Sequence, residues 1–263
     1  MSCSTGSRTH RNQTQDYLHY VELIPSLYGN GLTTCFPCPT DLFKDIIYIN
    51  QLRDKRDQSD EDKTLWSLSI QNVFSDITKF SPLDWVSDVV LTHIAAHTKY
   101  TSTGESPPLL SDPLLSAWLS VGHIYQCAVA LYWIGALSGL PGALDSWWPP
   151  QDGLRISDVR ESYYKTLIIH IKNICLTPNK EVKQLRKILM WPLVVAGVET
   201  EAKDEGNKSL VMEQLDELTS YLGTFATLDA KEFLDRHWAS TAHMKSSRMR
   251  WDRVFDKDFC FAM

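Results

Sequence analysis

The stretch PLLSAWLSVGHIYQCAVALYWIGALSGLPGAL, residues 113–144, contains no Asp, Glu, Lys or Arg. An apolar run of about 20 residues is long enough to span a bilayer. This stretch, however, is bracketed by Asp112 and Asp145, without the Lys and Arg that flank membrane spans. It is also interrupted by Ser116, Ser120, His123 and Gln126. Because a helix that is apolar on every side suits the centre of a large helical domain, we predict a buried core helix here and no membrane contact.

Further segments repeat apolar residues at the spacing of one helical face. They are residues 42–52, 66–80, 86–97, 163–174 and 211–222, with Phe233, Leu234 and Trp238 marking a short helix behind the last of them. No segment shows the two-residue alternation and tight turns of a hairpin. The sequence therefore predicts an all-α protein. We expect a single domain of about eight or more helices over residues 17–263, behind a disordered polar tail at residues 1–16.

The composition indicates a folded protein and argues against DNA binding by this chain alone. With 263 residues, 43% of them apolar, the chain can bury a sizeable core. Its 26 Lys and Arg against 32 Asp and Glu give a net charge of -6, whereas gripping DNA phosphates needs clustered positive charge. The six cysteines are spread along the chain behind a polar start without an apolar signal-peptide core. This pattern indicates free thiols in a reducing compartment.

Signatures of catalysis are weak or missing. The chain has no G-x-G-x-x-G, Walker, G-x-S-x-G or H-E-x-x-H motif. Cys35 and Cys38 form a lone C-x-x-C, and His93 and His97 share a helical face, but neither pair has the partners that complete a tetrahedral metal shell. We interpret His237 as a packing or surface residue. The sequence therefore predicts no catalytic residue, no metal and no cofactor.

A second apolar run, Ile188-Leu-Met-Trp-Pro-Leu-Val-Val-Ala-Gly-Val198, contains a proline. Pro192 lacks a backbone donor and its ring clashes with the carbonyl of Ile188, so we expect it to kink a helix or to begin a new one. Gly197 would let a neighbouring helix approach closely. Glu199 is expected to return the chain to solvent at the start of an acidic run, interpreted as a solvated face. That run continues with Glu201, Asp204 and Glu205.

Four short motifs follow one another in a recognisable order. They are Trp191-Pro192 with Gly197 and Glu199, the amphipathic helix at residues 210–222, Phe233-Leu234 with Trp238, and Trp251 with Phe255. In this order and spacing, residues 17–263 resemble the C-terminal regulatory domain of fungal zinc-cluster transcription factors. We treat the residues named in these motifs as the structural signature of the domain.

The resemblance implies a regulator of transcription and not an enzyme. In that family a binuclear zinc cluster, six closely spaced cysteines, and a basic linker precede this domain, and neither pattern is found here. We therefore expect no direct DNA binding by this chain. The expected partners are other transcription regulators or a full-length zinc-cluster factor, together with a small-molecule effector. The expected location is the nucleus, or both nucleus and cytoplasm, and the expected target is a secondary-metabolite pathway.

Two alternatives stay open. A Trp-rich apolar interior with His93, His97 and His123 in or near it would also suit a small-molecule-binding protein or an enzyme of secondary metabolism on the same helical scaffold. The other alternative is a helical membrane protein built on residues 113–144.

Overall fold

The fold is described by a computed structural model for residues 2–4, 21–22, 38–54, 63–88, 112–137, 155–242 and 260–262. Helices follow one another along these ranges: α1 (Thr40–Asp54), α2 (Lys63–Lys79), α3 (Asp112–Leu137), α4 (Ile156–Cys175), α5 (Lys180–Leu185), α6 (Met190–Glu199), α7 (Glu205–Leu222) and α8 (Ala226–Thr241). Residues 82–88 are also helical, and a 3₁₀ turn, Arg186–Ile188, joins α5 to α6. The described part of the chain therefore confirms the predicted all-α class.

One short strand pair accompanies the helices. β1 (Ser2–Ser4) pairs antiparallel with β2 (Cys260–Ala262), with Cys3 opposite Phe261. Strands of three residues carry too little alternation to be detected in the sequence, and they do not change the fold class. Within residues 1–16 the structure describes β1 alone. The predicted disorder of the other residues in this segment is therefore not tested.

Helix α3 forms the centre of the domain. It contacts α1, α2, α4, α5 and α6, and all residues from Cys127 to Leu137 are buried. By length and apolar composition α3 would also suit a membrane span. However, 61% of an 18-residue apolar segment of this helix is buried inside the protein. The described part of the charge-free stretch, residues 113–137, thus forms the core helix that the sequence predicts.

The polar and aromatic residues of α3 fix α2 in place. Gln126 donates from Nε2 to the carbonyl oxygens of Ile77 and Phe80, both at 2.9 Å. Because carbonyls in the last turn of a helix have no partner within it, Gln126 acts as a cap for α2. The indole of Trp133 donates to the carbonyl of Ile70 at 3.1 Å, and its ring lies 4.5 Å from that of Phe74. Gln126, one of the polar residues that interrupt the apolar run, therefore holds α2 against α3.

Pro192 lies in the first turn of a new helix and does not kink one. It is the third residue of α6, which starts at Met190 after the 3₁₀ turn. A proline in the first turn removes no intrahelical hydrogen bond, because the N–H groups there have no acceptor within the helix. Pro192 has no N–H to donate to the carbonyl of Ile188. That carbonyl accepts a hydrogen bond of 2.7 Å from the hydroxyl of Tyr125 in α3. Of the two expectations for Pro192, the structure shows the second.

Tyr125→Phe is expected to lower the free energy of unfolding by about 1–2 kcal/mol, because it removes the donor to the Ile188 carbonyl. Pro192→Ala alone should change it by less than about 1 kcal/mol, since that carbonyl keeps its donor. In the double variant, the new backbone N–H at position 192 can donate to Ile188, so part of the loss should be recovered. Urea unfolding of the four proteins measures this coupling, and purely additive effects would contradict it.

The connection between α4 and α6 is not predicted by the sequence patterns. Oδ1 of Asn179 accepts from the backbone N–H groups of Glu181 at 2.8 Å and Val182 at 3.2 Å, which caps α5. The guanidinium of Arg186 then donates to both carboxylate oxygens of Glu217 in α7, each at 2.8 Å. Because α5 has only six residues, it offers less than two turns of periodicity to detect.

Candidate functional site

The signature residues that the structure describes lie on two helices in contact, α6 and α8. All of them are buried, at both ends of α6 and along one face of α8. They are Trp191, Pro192, Gly197 and Glu199 in α6, and Phe233, Leu234 and Trp238 in α8. Trp251 and Phe255 lie outside the described residues. We name the end of α6, residues 197–200, together with the side chains that contact it, the α6 junction.

Gly197 lies where α6 and α8 approach closely. A Cβ atom at this position would lie 2.6 and 2.7 Å from the two methyl carbons of Leu234, closer than carbon atoms pack. The carbonyl of Gly197 accepts a hydrogen bond of 2.9 Å from the indole N–H of Trp238. The carbonyl of Val198 accepts one of 3.2 Å from Nε2 of His237. Side chains of α8 therefore cap the last carbonyls of α6. The two helices can approach this closely because Gly197 has no side chain.

Glu199 does not reach solvent, so the sequence interpretation of this residue is wrong. Its side chain is 1% exposed, and its carboxylate accepts two hydrogen bonds of 2.7 Å from the guanidinium of Arg160 in α4. Such two-bonded pairs are among the strongest hydrogen-bonded ion pairs in proteins. A charge can be buried at this depth only when it is paired, and Arg160 supplies the partner. Glu201 and Glu205, by contrast, are exposed as predicted, whereas Asp204 is half-buried and its Oδ1 accepts from the N–H of Asn207 at 3.1 Å.

Hydrogen bonds also connect α7 and α4 to the α6 junction. Thr200 donates from Oγ1 to the carbonyl of Ala196 at 2.8 Å, so it accepts from the hydroxyl of Tyr164 at 3.0 Å. Tyr164 in turn accepts from the side-chain amide of Asn207 at 3.2 Å. Burial raises the pKa of Tyr164, so its hydroxyl keeps the proton that it donates. Side chains from α4 and α7 thus join Thr200, the residue after α6, in one chain of hydrogen bonds.

The chemistry of the α6 junction suits helix positioning better than proton transfer. Burial lowers the pKa of His237, although its hydrogen bond to Val198 and the charge of Glu199 act in the opposite direction. The imidazole is therefore neutral at pH 7, with its Nε2–H donated to a carbonyl. Lys208 covers the outer side of the junction, its ammonium 5.3 Å from the centre of the Trp238 ring. His237 is thus a packing residue, one of the two roles considered from the sequence.

The other end of α6 contacts the core helix. Trp191 is 1% exposed, and its ring meets that of Tyr132 edge to face with 5.9 Å between the centroids. The hydroxyl of Tyr132 donates to Oδ1 of Asn50 at 2.5 Å and accepts from Arg53 at 2.8 Å, both in α1. The indole N–H of Trp191 has no acceptor among the described residues. Trp191 therefore connects α6 with α1 through a tyrosine of α3.

The histidines of the enzyme alternative are only partly described. His123 in α3 stacks on His170 in α4 with 4.5 Å between the ring centroids. Burial lowers the pKa of both imidazoles, and the neighbouring His123 helps to lower that of His170 to about 4. His93, His97 and Cys35 lie outside the described residues. Within the ranges that the structure covers, no three His, Cys, Asp or Glu side chains converge as metal ligands would.

Comparison with known proteins extends the resemblance in the motifs to almost the whole chain. The family model of the fungal specific transcription factor domain matches residues 1–262. Over 254 residues the chain is 27% identical to the phomenoic acid biosynthesis cluster-specific transcriptional regulator of Leptosphaeria maculans. The aligned part is 95% of this chain but 40% of that regulator, so the chain spans less than half the length of this relative. No solved structure matches the chain. Because the family match covers nearly every residue, this chain belongs to the family of fungal-specific transcription factor domains.

Proposed function

We propose that this chain regulates the transcription of genes in a secondary-metabolite pathway, in the nucleus, through contacts with other proteins. The observation that carries the proposal is the family match along residues 1–262. The relative in Leptosphaeria maculans is named as a regulator specific to one biosynthesis cluster, which supports a role in controlling biosynthetic genes.

In this proposal DNA is recognised by a partner. A net charge of -6 opposes binding to DNA phosphates, and phosphate neutralisation supplies most non-specific affinity for DNA. We assign the DNA contact to a full-length zinc-cluster factor or another transcription regulator, and we include a small-molecule effector as a further ligand. The α6 junction would act as a rigid support for the surfaces that these partners contact.

The test is to tag the full gene product in its native cells, cross-link briefly, and identify the proteins and small molecules isolated with it. We expect a zinc-cluster regulator or transcription machinery, enriched over cells that express the tag alone. Deleting the gene should change the transcripts of one biosynthetic gene cluster, measured by RNA sequencing.

Two outcomes would contradict the proposal. Recovery of a pathway metabolite with no regulator, and unchanged transcripts after deletion, would favour the small-molecule binder or enzyme. Tight, sequence-specific binding of promoter DNA by the purified chain would show that DNA recognition does not need a partner.

A further inference from the structure

The turn between α7 and α8 displays apolar side chains to solvent. Phe225 is 79% exposed, and three neighbours are 40–45% exposed. These neighbours are Tyr221, Leu222 and Leu228, and we call the four residues the α7–α8 tip. Grouped exposed apolar side chains mark sites of protein contact more often than single ones do.

The α7–α8 tip is held on an ordered turn. Gly223 ends α7 in the left-handed conformation, with φ of 59°, and its N–H donates to the carbonyl of Thr219 at 3.1 Å. The hydroxyls of Thr219 and Thr227 lie 2.8 Å apart and join the two helices across the turn. Because this backbone is already fixed, binding of a partner over Phe225 costs little conformational entropy in the turn.

An acidic strip continues from the tip along the outer face of α8. Its acids, Asp229, Glu232 and Asp235, are exposed and recur at helical spacing beyond Leu228, with the exposed Arg236 beside them. Glu232 lies 3.9 Å from Arg236, whereas Asp229 and Asp235 have no cationic partner among the described residues. On the other side of the tip, the ammonium of Lys187 lies 5.8 Å from the centre of the Tyr221 ring. The outer face of α8 therefore combines an apolar end with a negative continuation.

We propose that the α7–α8 tip and the acidic strip of α8 together dock a basic amphipathic helix of a partner protein. Apolar side chains at one end of that helix would cover Phe225 and Leu228. Its Lys and Arg side chains would pair with Asp229, Glu232 and Asp235. The negative charge of the strip repels nucleic-acid phosphates and anionic lipid headgroups, so the charge complementarity favours a basic protein segment. The inference rests on the proposed function, which supplies the protein partner.

A binding experiment tests the chemistry of this face. The probe is a fluorescein-labelled synthetic helix with Leu on one face and Lys beside it, titrated with the purified full chain at physiological salt and followed by anisotropy. Phe225→Ser/Leu228→Ser and Asp229→Lys/Glu232→Lys should each weaken binding by about tenfold or more. All positions are exposed, and thermal unfolding followed by circular dichroism checks that the variants fold.

A matched charge variant separates the acidic strip from the net charge of the protein. Asp84 and Asp88 are exposed acids on another helical segment, residues 82–88. Asp84→Lys/Asp88→Lys makes the same charge change, and we expect binding of the probe to stay within about twofold of the unmodified chain. Equal weakening by both charge variants would overturn the proposal, as would tighter Phe225-dependent binding to phosphatidylserine vesicles than to the probe.

A photo-cross-linking experiment in native cells identifies the partner segment. A benzoylphenylalanine replaces Phe225 in one strain and Leu176, which is 73% exposed at the end of α4, in another. We expect position 225 alone to cross-link to a Lys- and Arg-rich segment of a transcription regulator, located by mass spectrometry. Cross-links from 225 to an acidic segment or to a second copy of the chain would overturn the docking inference. A regulator captured at 176 and not at 225 would overturn it while leaving the proposed function standing, whereas failure at both positions would contradict both.

Discussion

Glu199→Ala is expected to lower the free energy of unfolding by about 3–5 kcal/mol, because it leaves a buried cation without its partner. The side chain of Arg160 is 9% exposed and directs two hydrogen bonds of 2.7 Å at the carboxylate of Glu199. Without that carboxylate, the guanidinium keeps its desolvation penalty but loses the attraction that offsets it. Urea unfolding of the purified chain, followed by circular dichroism, measures the effect.

Two controls show whether charge causes this loss. Arg160→Met/Glu199→Leu replaces both charges by apolar side chains of similar volume, and we expect its stability to lie within about 1 kcal/mol of the unmodified chain or above it. Glu201→Ala removes an exposed acid that pairs with Lys203 at 2.9 Å, and it should cost less than about 1 kcal/mol. A loss at Glu199 no larger than the loss at Glu201 would show that the buried pair is not what holds α4 to α6.

The burial of Glu199 could not be predicted from its local sequence pattern. The residue follows an apolar run and opens an acidic one, so its local pattern places it in water. Its partner lies 39 positions away on another helix, and no periodicity connects the two. One signal was present: Arg160 stands on the line of the apolar stripe that continues with Tyr163 and Leu167. A charge on the buried face of a helix needs a partner, and a search for one could have found Glu199.

The central helix α3 was predictable for a different reason. Its burial follows from composition, since residues 113–137 carry no charge and every face of the helix needs apolar neighbours. The choice between a kink and a helix start at Pro192 did not follow from the sequence. The structure shows a 3₁₀ turn before α6, and the carbonyl of Ile188 accepts its hydrogen bond from the hydroxyl of Tyr125, 63 positions earlier. The burial of a single helix could therefore be predicted from its own composition, whereas hydrogen bonds between helices far apart in the sequence could not.

Gly197→Ala is expected to lower the free energy of unfolding by about 2–4 kcal/mol through overpacking and a weakened cap. The added Cβ would lie 2.6 Å from one methyl carbon of Leu234 and 3.2 Å from its Cγ. Leu234 is fully buried, so room for the methyl group requires its side chain to repack against other core residues and α8 to move away from α6. That movement would lengthen the hydrogen bond of 2.9 Å from Trp238 to the Gly197 carbonyl. Urea unfolding measures the stability loss, and tryptophan fluorescence reports the change around Trp238.

A control and a rescue distinguish the helix contact from the ordinary effect of removing a glycine. Gly206→Ala in α7 meets only Asp204 Oδ1 at 3.8 Å, so it should leave stability unchanged or raise it by up to about 1 kcal/mol. Leu234→Ala alone creates a cavity and should cost about 2–5 kcal/mol. Because the new methyl group at position 197 would occupy part of that cavity, the double variant should lose less than the two single losses added together. Strict additivity would mean that α6 and α8 are not in contact through this pair, and the packing at the α6 junction would then need another explanation.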